Sequence, residues 1–192
     1  MKFTLLFCGL MAVAIPMAIS AELSQDGKSN ALSNAVILVI RHAEKPADGK
    51  GLAPAGEARA EAYVNYFSNF TMDGKPLKLD YLFATADSKQ SHRARLTIEP
   101  TSKKLGLAID NRFADEEFQK LADEIRAKPH GKCILICWHH GEIPQLIQAL
   151  GADSGQLLPK AKWPDAVYNW VIQLRYDSDG HFLAAKRINE NF

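Results

Sequence analysis

Cysteine is scarce in this chain: there are three in 192 residues, and Cys8 lies in an apolar N-terminal stretch. The other two, Cys133 and Cys137, share one apolar run that reads as a strand. Four residues of strand put them on the same face but about 13 Å apart, whereas a disulfide needs Cα atoms within about 7 Å. A disulfide-stapled fold is therefore excluded, and so is a metal shared by these thiols. Charge of one sign is also lacking: 23 basic and 22 acidic residues leave a formal net charge of +1. Without a basic stripe or cluster, nucleic acid and anionic membranes are not expected partners. Repeats, low-complexity tracts and heptads are missing, which removes solenoids and coiled coils.

The one long apolar run is at the start. Met1 and Lys2 give a positive beginning. Residues 3–19 are then apolar apart from Thr4 and Gly9, and small residues follow at Ala18, Ser20 and Ala21. This is the pattern of a secretory signal peptide over residues 1–21, cut after Ser20 or Ala21. The expected location is secreted or periplasmic, with no stable membrane insertion after cleavage. Residues 22–33 are polar and small, and read as a flexible leader. Residues 34–192 remain as a single domain, long enough to bury about two-thirds of its unfolded surface.

Val36 to Ile40 is a run of five apolar residues, four of them β-branched, as in a strand covered on both faces. A helix is expected from Pro54, with Tyr63, Tyr66, Phe67 and Phe70 on its apolar face. Tyr81 to Ala84 reads as a short strand. Asp87 or Ser88 is placed to cap a helix reaching Lys104. A further helix carries Phe118, Leu121, Ala122 and Ile125. Cys133 to Cys137 is the second buried strand, and Pro144 opens a helix with Ile143, Leu146, Ile147 and Leu150 on one face. Tyr168 to Tyr176 and Phe182 to Ile188 form a closing hairpin about Asp177 to Gly180. Strands alternating with helices predict an α/β fold: a three-layer α/β/α sandwich with a mixed, largely parallel central sheet.

Both buried strands end in polar bursts: Arg41-His42-Ala43-Glu44-Lys45 and Trp138-His139-His140-Gly141-Glu142. In such sheets ligands collect beyond the carboxyl ends of the strands. A neutral imidazole is a competent nucleophile toward phosphorus, and a histidine at a strand end is rigidly held. Adjacent histidines in an extended segment point opposite ways, so one of His139 and His140 faces any given site. That divergence, and the lack of a spaced carboxylate–histidine ligand motif, argues against zinc on His42, His139 and His140. A third basic segment runs from Ser91 to Pro100, with Arg93 and Arg95 on different helix faces. Two arginines, two histidines and an anion-friendly helix start suit phosphoryl transfer, where positioning and charge stabilisation dominate.

These motifs resemble those of the histidine phosphatase superfamily, also called phosphoglycerate mutase-like. The opening Arg-His-Gly-Glu element reads Arg41-His42-Ala43-Glu44, and Leu-Thr-x-x-Gly reads Leu52-Ala53-Pro54-Ala55-Gly56. The middle element reads Arg93-Ala94-Arg95-Leu96-Thr97-Ile98-Glu99-Pro100, and the closing His-Gly is His140-Gly141. The resemblance implies that His42 accepts the phosphoryl group and that Arg41, Arg93 and His140 surround the phosphate. It implies no metal and no cofactor. The proton donor is an acid between the middle arginine and the second histidine (Asp115 or Glu116), or Glu142 just after that histidine; Glu142 is preferred. The implied activity is phosphate monoester hydrolysis through a phosphohistidine, on a small-molecule or glycolipid phosphate ester. A catalytically weak phosphate-binding module is the competing expectation.

Overall fold

The computed structural model describes Met1 and residues 30–192, so the signal-peptide expectation and most of the leader lie outside the described residues. In chain order the elements are β1 (Val36–Arg41), α1 (Pro54–Ser68), β2 (Thr71–Met72), β3 (Lys75–Pro76), β4 (Tyr81–Thr85) and α2 (Arg93–Leu105). There follow β5 (Ile109–Phe113), α3 (Phe118–Ala127), β6 (Cys133–Trp138), α4 (Ile143–Ala149), α5 (Ser154–Leu157), β7 (Trp170–Tyr176) and β8 (Phe182–Asn189). Six strands make one sheet in the order β5-β4-β6-β1-β7-β8. The first four are mutually parallel; β7 runs antiparallel to β1, and β8 antiparallel to β7. The sheet is mixed and largely parallel, with helices on both faces.

Period-two alternation in the buried strands makes the layers. Val36, Leu38 and Ile40 of β1, with Cys133, Leu135 and Cys137 of β6, pack under α1 and α2 against Tyr63, Phe67 and Ile98. Ile37, Val39, Ile134, Ile136 and Trp138 face the other way, onto Leu121, Ile125, Leu146 and Ile147 of α3 and α4. Each fully buried Val, Leu or Ile contributes roughly 1.5–3 kcal/mol. The two cysteines share a face and are free and buried. Trp138 and Trp163 are core residues as well. Among the described residues no helix is long and apolar enough to cross a membrane.

Three expectations are corrected. The middle helix begins at Arg93, not at Asp87 or Ser88, because the Ser88 hydroxyl accepts from the Gln90 and Ser91 amides and closes a local turn instead. Residues 30–33 are not free leader: Leu32 is only 2% exposed and packs in the core over α3 and α4. The hairpin strand starts at Trp170, leaving Tyr168 in the preceding loop. Strand β5, Ile-Asp-Asn-Arg-Phe, was not expected; it forms the sheet edge, where a polar sequence is tolerated.

Candidate active site

Arg41 ends β1 and is buried beneath the loop before β7. Its Nη1 donates to the carbonyls of Asp165 (2.7 Å), Val167 (2.9 Å) and Pro164 (3.3 Å). The Tyr168 ring lies 3.9 Å from its guanidinium carbon, a stacked cation–π contact. Burial lowers the Arg41 pKa, and the nearby charge of Arg93 lowers it further. Next in the chain, His42 is 2% exposed, and its amide donates to Trp138 O across the sheet at 3.0 Å. Its Nδ1 is 2.7 Å from the Ala43 carbonyl. That contact requires a proton on Nδ1, which leaves the Nε2 lone pair available. Burial pushes the His42 pKa down to about 3, against the Ala43 carbonyl and helped by His139, Arg41 and Arg93. The imidazole is neutral over the whole physiological range.

The residues that follow hold this geometry. The Ala43 amide donates to Thr97 Oγ1 (2.8 Å), and the Thr97 hydroxyl donates to the Arg93 carbonyl (2.7 Å). Thr97 thus ties the His42 loop to the start of α2, where Arg93 sits. Glu44 does not face the anion site; its carboxylate takes bonds from Arg59 Nη2 at 2.8 Å and Nε at 3.1 Å. Arg59 also reaches Glu190 at 2.9 Å, and the Tyr63 hydroxyl donates to Glu190 at 2.7 Å. Gly56 is required by close approach: a Cβ there would lie 2.5 Å from the Glu44 carbonyl oxygen.

At the end of β6 the two histidines diverge. The His139 ring meets His42 edge-on, with centroids 4.9 Å apart. His140 turns instead to the Asp165 carboxylate, its Nε2 2.9 Å from Oδ1. The sequence had placed His140 beside His42, but the register at which β6 ends turns its predecessor inward. Burial, then Arg93, His140 and Arg41, bring the His139 pKa down to about 4. Arg93 Nη1 makes only long bonds, to Gln90 O (3.3 Å) and Gly49 O (3.4 Å).

Arg93 and His139 line a hollow of about 470 Å³ together with Asp115 and Glu116, from the turn after β5. Glu142, preferred from the sequence as the acid, is the residue preceding α4 and is not among the lining residues. It acts on Asp115 at a distance. Burial pushes the Asp115 carboxyl up to about 7, assisted by the negative charges of Glu142 and Glu116. The hollow therefore holds an acid that is partly protonated at neutral pH, together with the neutral imidazole of His139 and the guanidinium of Arg93.

Among the described residues eight buried side-chain polar atoms have no hydrogen-bond partner; two of them, Arg93 Nε and Asp115 Oδ1, belong to residues that line this hollow, and a third is Arg41 Nε, on the residue before His42. Unmet donors on two arginines around a neutral imidazole mark a place shaped for an oxyanion. Arg41 and His42, Arg93, Asp115 and His139 come from four separate places in the chain: the end of β1, the start of α2, the turn after β5 and the end of β6.

No protein-family model and no curated protein matches the sequence. Solved structures do match. A phosphoglycerate mutase from Plasmodium falciparum aligns with a TM-score of 0.50 at 19% identity, over 83% of this chain and 91% of that one. The SixA protein of Agrobacterium tumefaciens, assigned as a phosphohistidine phosphatase, aligns with a TM-score of 0.51 at 15% identity, over 79% and 97%. The chain shares the fold of these two structures. The shared fold spans most of the described chain, and its strand ends carry the Arg41-His42 and His139 positions described above.

Proposed function

We propose that the chain is a phosphoric monoester hydrolase working through a phosphohistidine. His42 Nε2 attacks phosphorus, forming the N–P bond as the P–O bond to the alcohol breaks. The leaving oxygen takes the proton of the Asp115 carboxyl. Water then attacks the phosphohistidine and gives a proton to the Asp115 carboxylate, the N–P bond breaks, and orthophosphate leaves. Arg41 and Arg93 balance the charge on the equatorial oxygens. In this reading His139 takes the role first expected of His140, and Asp115 the role first expected of Glu142. The observation that carries the proposal is His42: its Nδ1 is committed to Ala43 O, and its low pKa keeps Nε2 unprotonated beside two guanidinium groups with unmet Nε donors.

Hydrolysis of 4-nitrophenyl phosphate tests it. His42→Ala is expected to lower kcat at least about 10³-fold, and to abolish an acid-labile, alkali-stable phosphoenzyme trapped from labelled substrate. Undiminished turnover in that variant would sink the mechanism. Tight orthophosphate binding with no ester turned over would favour a phosphate-binding module. Export belongs to the same proposal and rests on the pattern of residues 1–21; N-terminal sequencing of protein recovered outside the cytoplasm tests it, with Glu22 or Ala21 expected first.

A further inference from the structure

The hollow around His139 is electrically lopsided. Its positive charge comes from Arg93, which lies close enough to Arg41 to act on it, and this is the anion site. Three acids, Asp87, Asp115 and Glu116, line the same hollow, with the polar Ser88 and Gln90. Arg93 is the one cation among the ten lining residues. Asp87 is neutralised by Arg95 at 2.9 Å, but Asp115 has a buried oxygen with no partner, and Glu116 is exposed with no ion pair among the described residues. Glu142, outside the lining, adds negative potential, since it acts on Asp115. With the phosphate on the guanidinium groups and Asp115 as the proposed acid, the alcohol of the ester lies beside Asp115 and so beside its neighbour Glu116.

Resting on the phosphatase reading, we infer that the leaving alcohol is polar and uncharged or cationic, and that esters carrying a second anionic group on the alcohol are rejected. A carboxylate placed there would face the unpaired Glu116 carboxylate, with Arg93, the one lining cation, already taken by the phosphate. Like charges brought together in a partly desolvated cleft cost enough to exclude a ligand. Hydroxyl and amino groups, by contrast, find the Ser88 hydroxyl, the Gln90 amide and the carboxylates themselves. The site thus carries its specificity partly as repulsion, and Glu116, placed outside the reacting atoms, is a specificity-determining residue.

Three esters of similar size isolate the charge: 2-aminoethyl, 2-hydroxyethyl and carboxymethyl phosphate. Affinity is read by calorimetry, and turnover by phosphate release. The carboxymethyl ester is expected to bind at least about tenfold more weakly than the hydroxyethyl ester, a difference of roughly 1.4 kcal/mol, and the aminoethyl ester at least as well. Glu116→Lys is expected to shrink the gap threefold or more, while the Kd for inorganic phosphate sets the baseline for any general gain in anion affinity. Equal affinities in the wild type, or a gap untouched by Glu116→Lys after that correction, would overturn the inference while leaving the phosphatase reading intact. The expected affinity order with no ester hydrolysed would overturn the phosphatase reading and leave the charge selection standing.

Discussion

Two carboxyl groups in this protein have been pushed to the same titration range by burial, and they differ in what surrounds them. Glu190 has a fully covered side chain and a pKa raised to about 7, yet its oxygens are both engaged, by Tyr63 and Arg59. Asp115 also reaches about 7, but one of its oxygens is buried with nothing to bond. A perturbed pKa alone therefore does not distinguish a structural acid from a working one. The distinction lies in whether the neighbouring groups consume the carboxyl's hydrogen-bonding capacity. Glu190 closes a network that runs through Arg59 to Glu44 and anchors the His42 loop to the C-terminal tail. Asp115 opens into a hollow and has spare capacity to give or take a proton.

Substitution at the two positions should separate them. The largest effect is expected from Asp115→Asn on turnover: kcat for an alkyl phosphate should fall about 10²–10⁴-fold, with a smaller loss for 4-nitrophenyl phosphate, whose leaving group needs little protonation. A comparable loss in Glu190→Gln would erase the contrast. The next effect is in pH. Asp115 must be protonated to act as an acid, so kcat/KM should decline as pH rises through about 7 and hold down to about 4, where His139 begins to protonate. In Asp115→Asn the alkaline decline should vanish from the residual activity, and its persistence would move the acid elsewhere.

Stability gives the remaining two effects, with opposite signs. Glu190→Ala leaves Arg59 and the buried Tyr63 hydroxyl without their acceptor and should cost about 3 kcal/mol, a fall of roughly 6–12 °C in Tm. Asp115→Asn should do the reverse. The folded-state pKa of Asp115 is raised above its ordinary value of 3.8. Stability is therefore undiminished below that value and is lost as pH rises toward about 7, where the partly buried acid must ionise. Asparagine escapes that loss. Because Asp115 is partly open to solvent, the gain is about 1–2 kcal/mol at pH 8, fading toward pH 4. Thermal melts at the two pH values check it, and a destabilised Asp115→Asn at pH 8 would count against a strained, unpartnered acid.

The parts of the fold visible in the sequence are those where burial on both sides demands continuous apolar residues. Strands β1 and β6, helix α1 from Pro54 and helix α3 from Phe118 all follow from hydrophobic pattern and punctuation. Strand β5 escaped because an edge strand with a half-covered face carries Asp110, Asn111 and Arg112 without penalty. The start of α2 was misplaced because Ser88 can cap a helix or close its own turn, and the local turn prevails. Thr97 was visible only as part of a motif. Its bonding partners are a carbonyl four residues back and an amide 54 residues away, and spacing in one chain does not reveal the second.

The sequence by itself determined that strand ends would present Arg41, His42 and a histidine pair on one edge of an α/β sheet, because long apolar strands leave polar residues nowhere else to go. Which histidine of the pair meets His42, and which acid is left unpartnered, was decided by tertiary structure. Neighbouring side chains on a strand end differ in direction rather than chemistry. The packing of β6 between β1 and β4 turns His139 inward and His140 toward Asp165. The titration of Asp115 likewise depends first on exclusion of water and then on Glu142 from another loop, neither of which is written in its own stretch of chain, where only the neighbouring Glu116 adds to the shift.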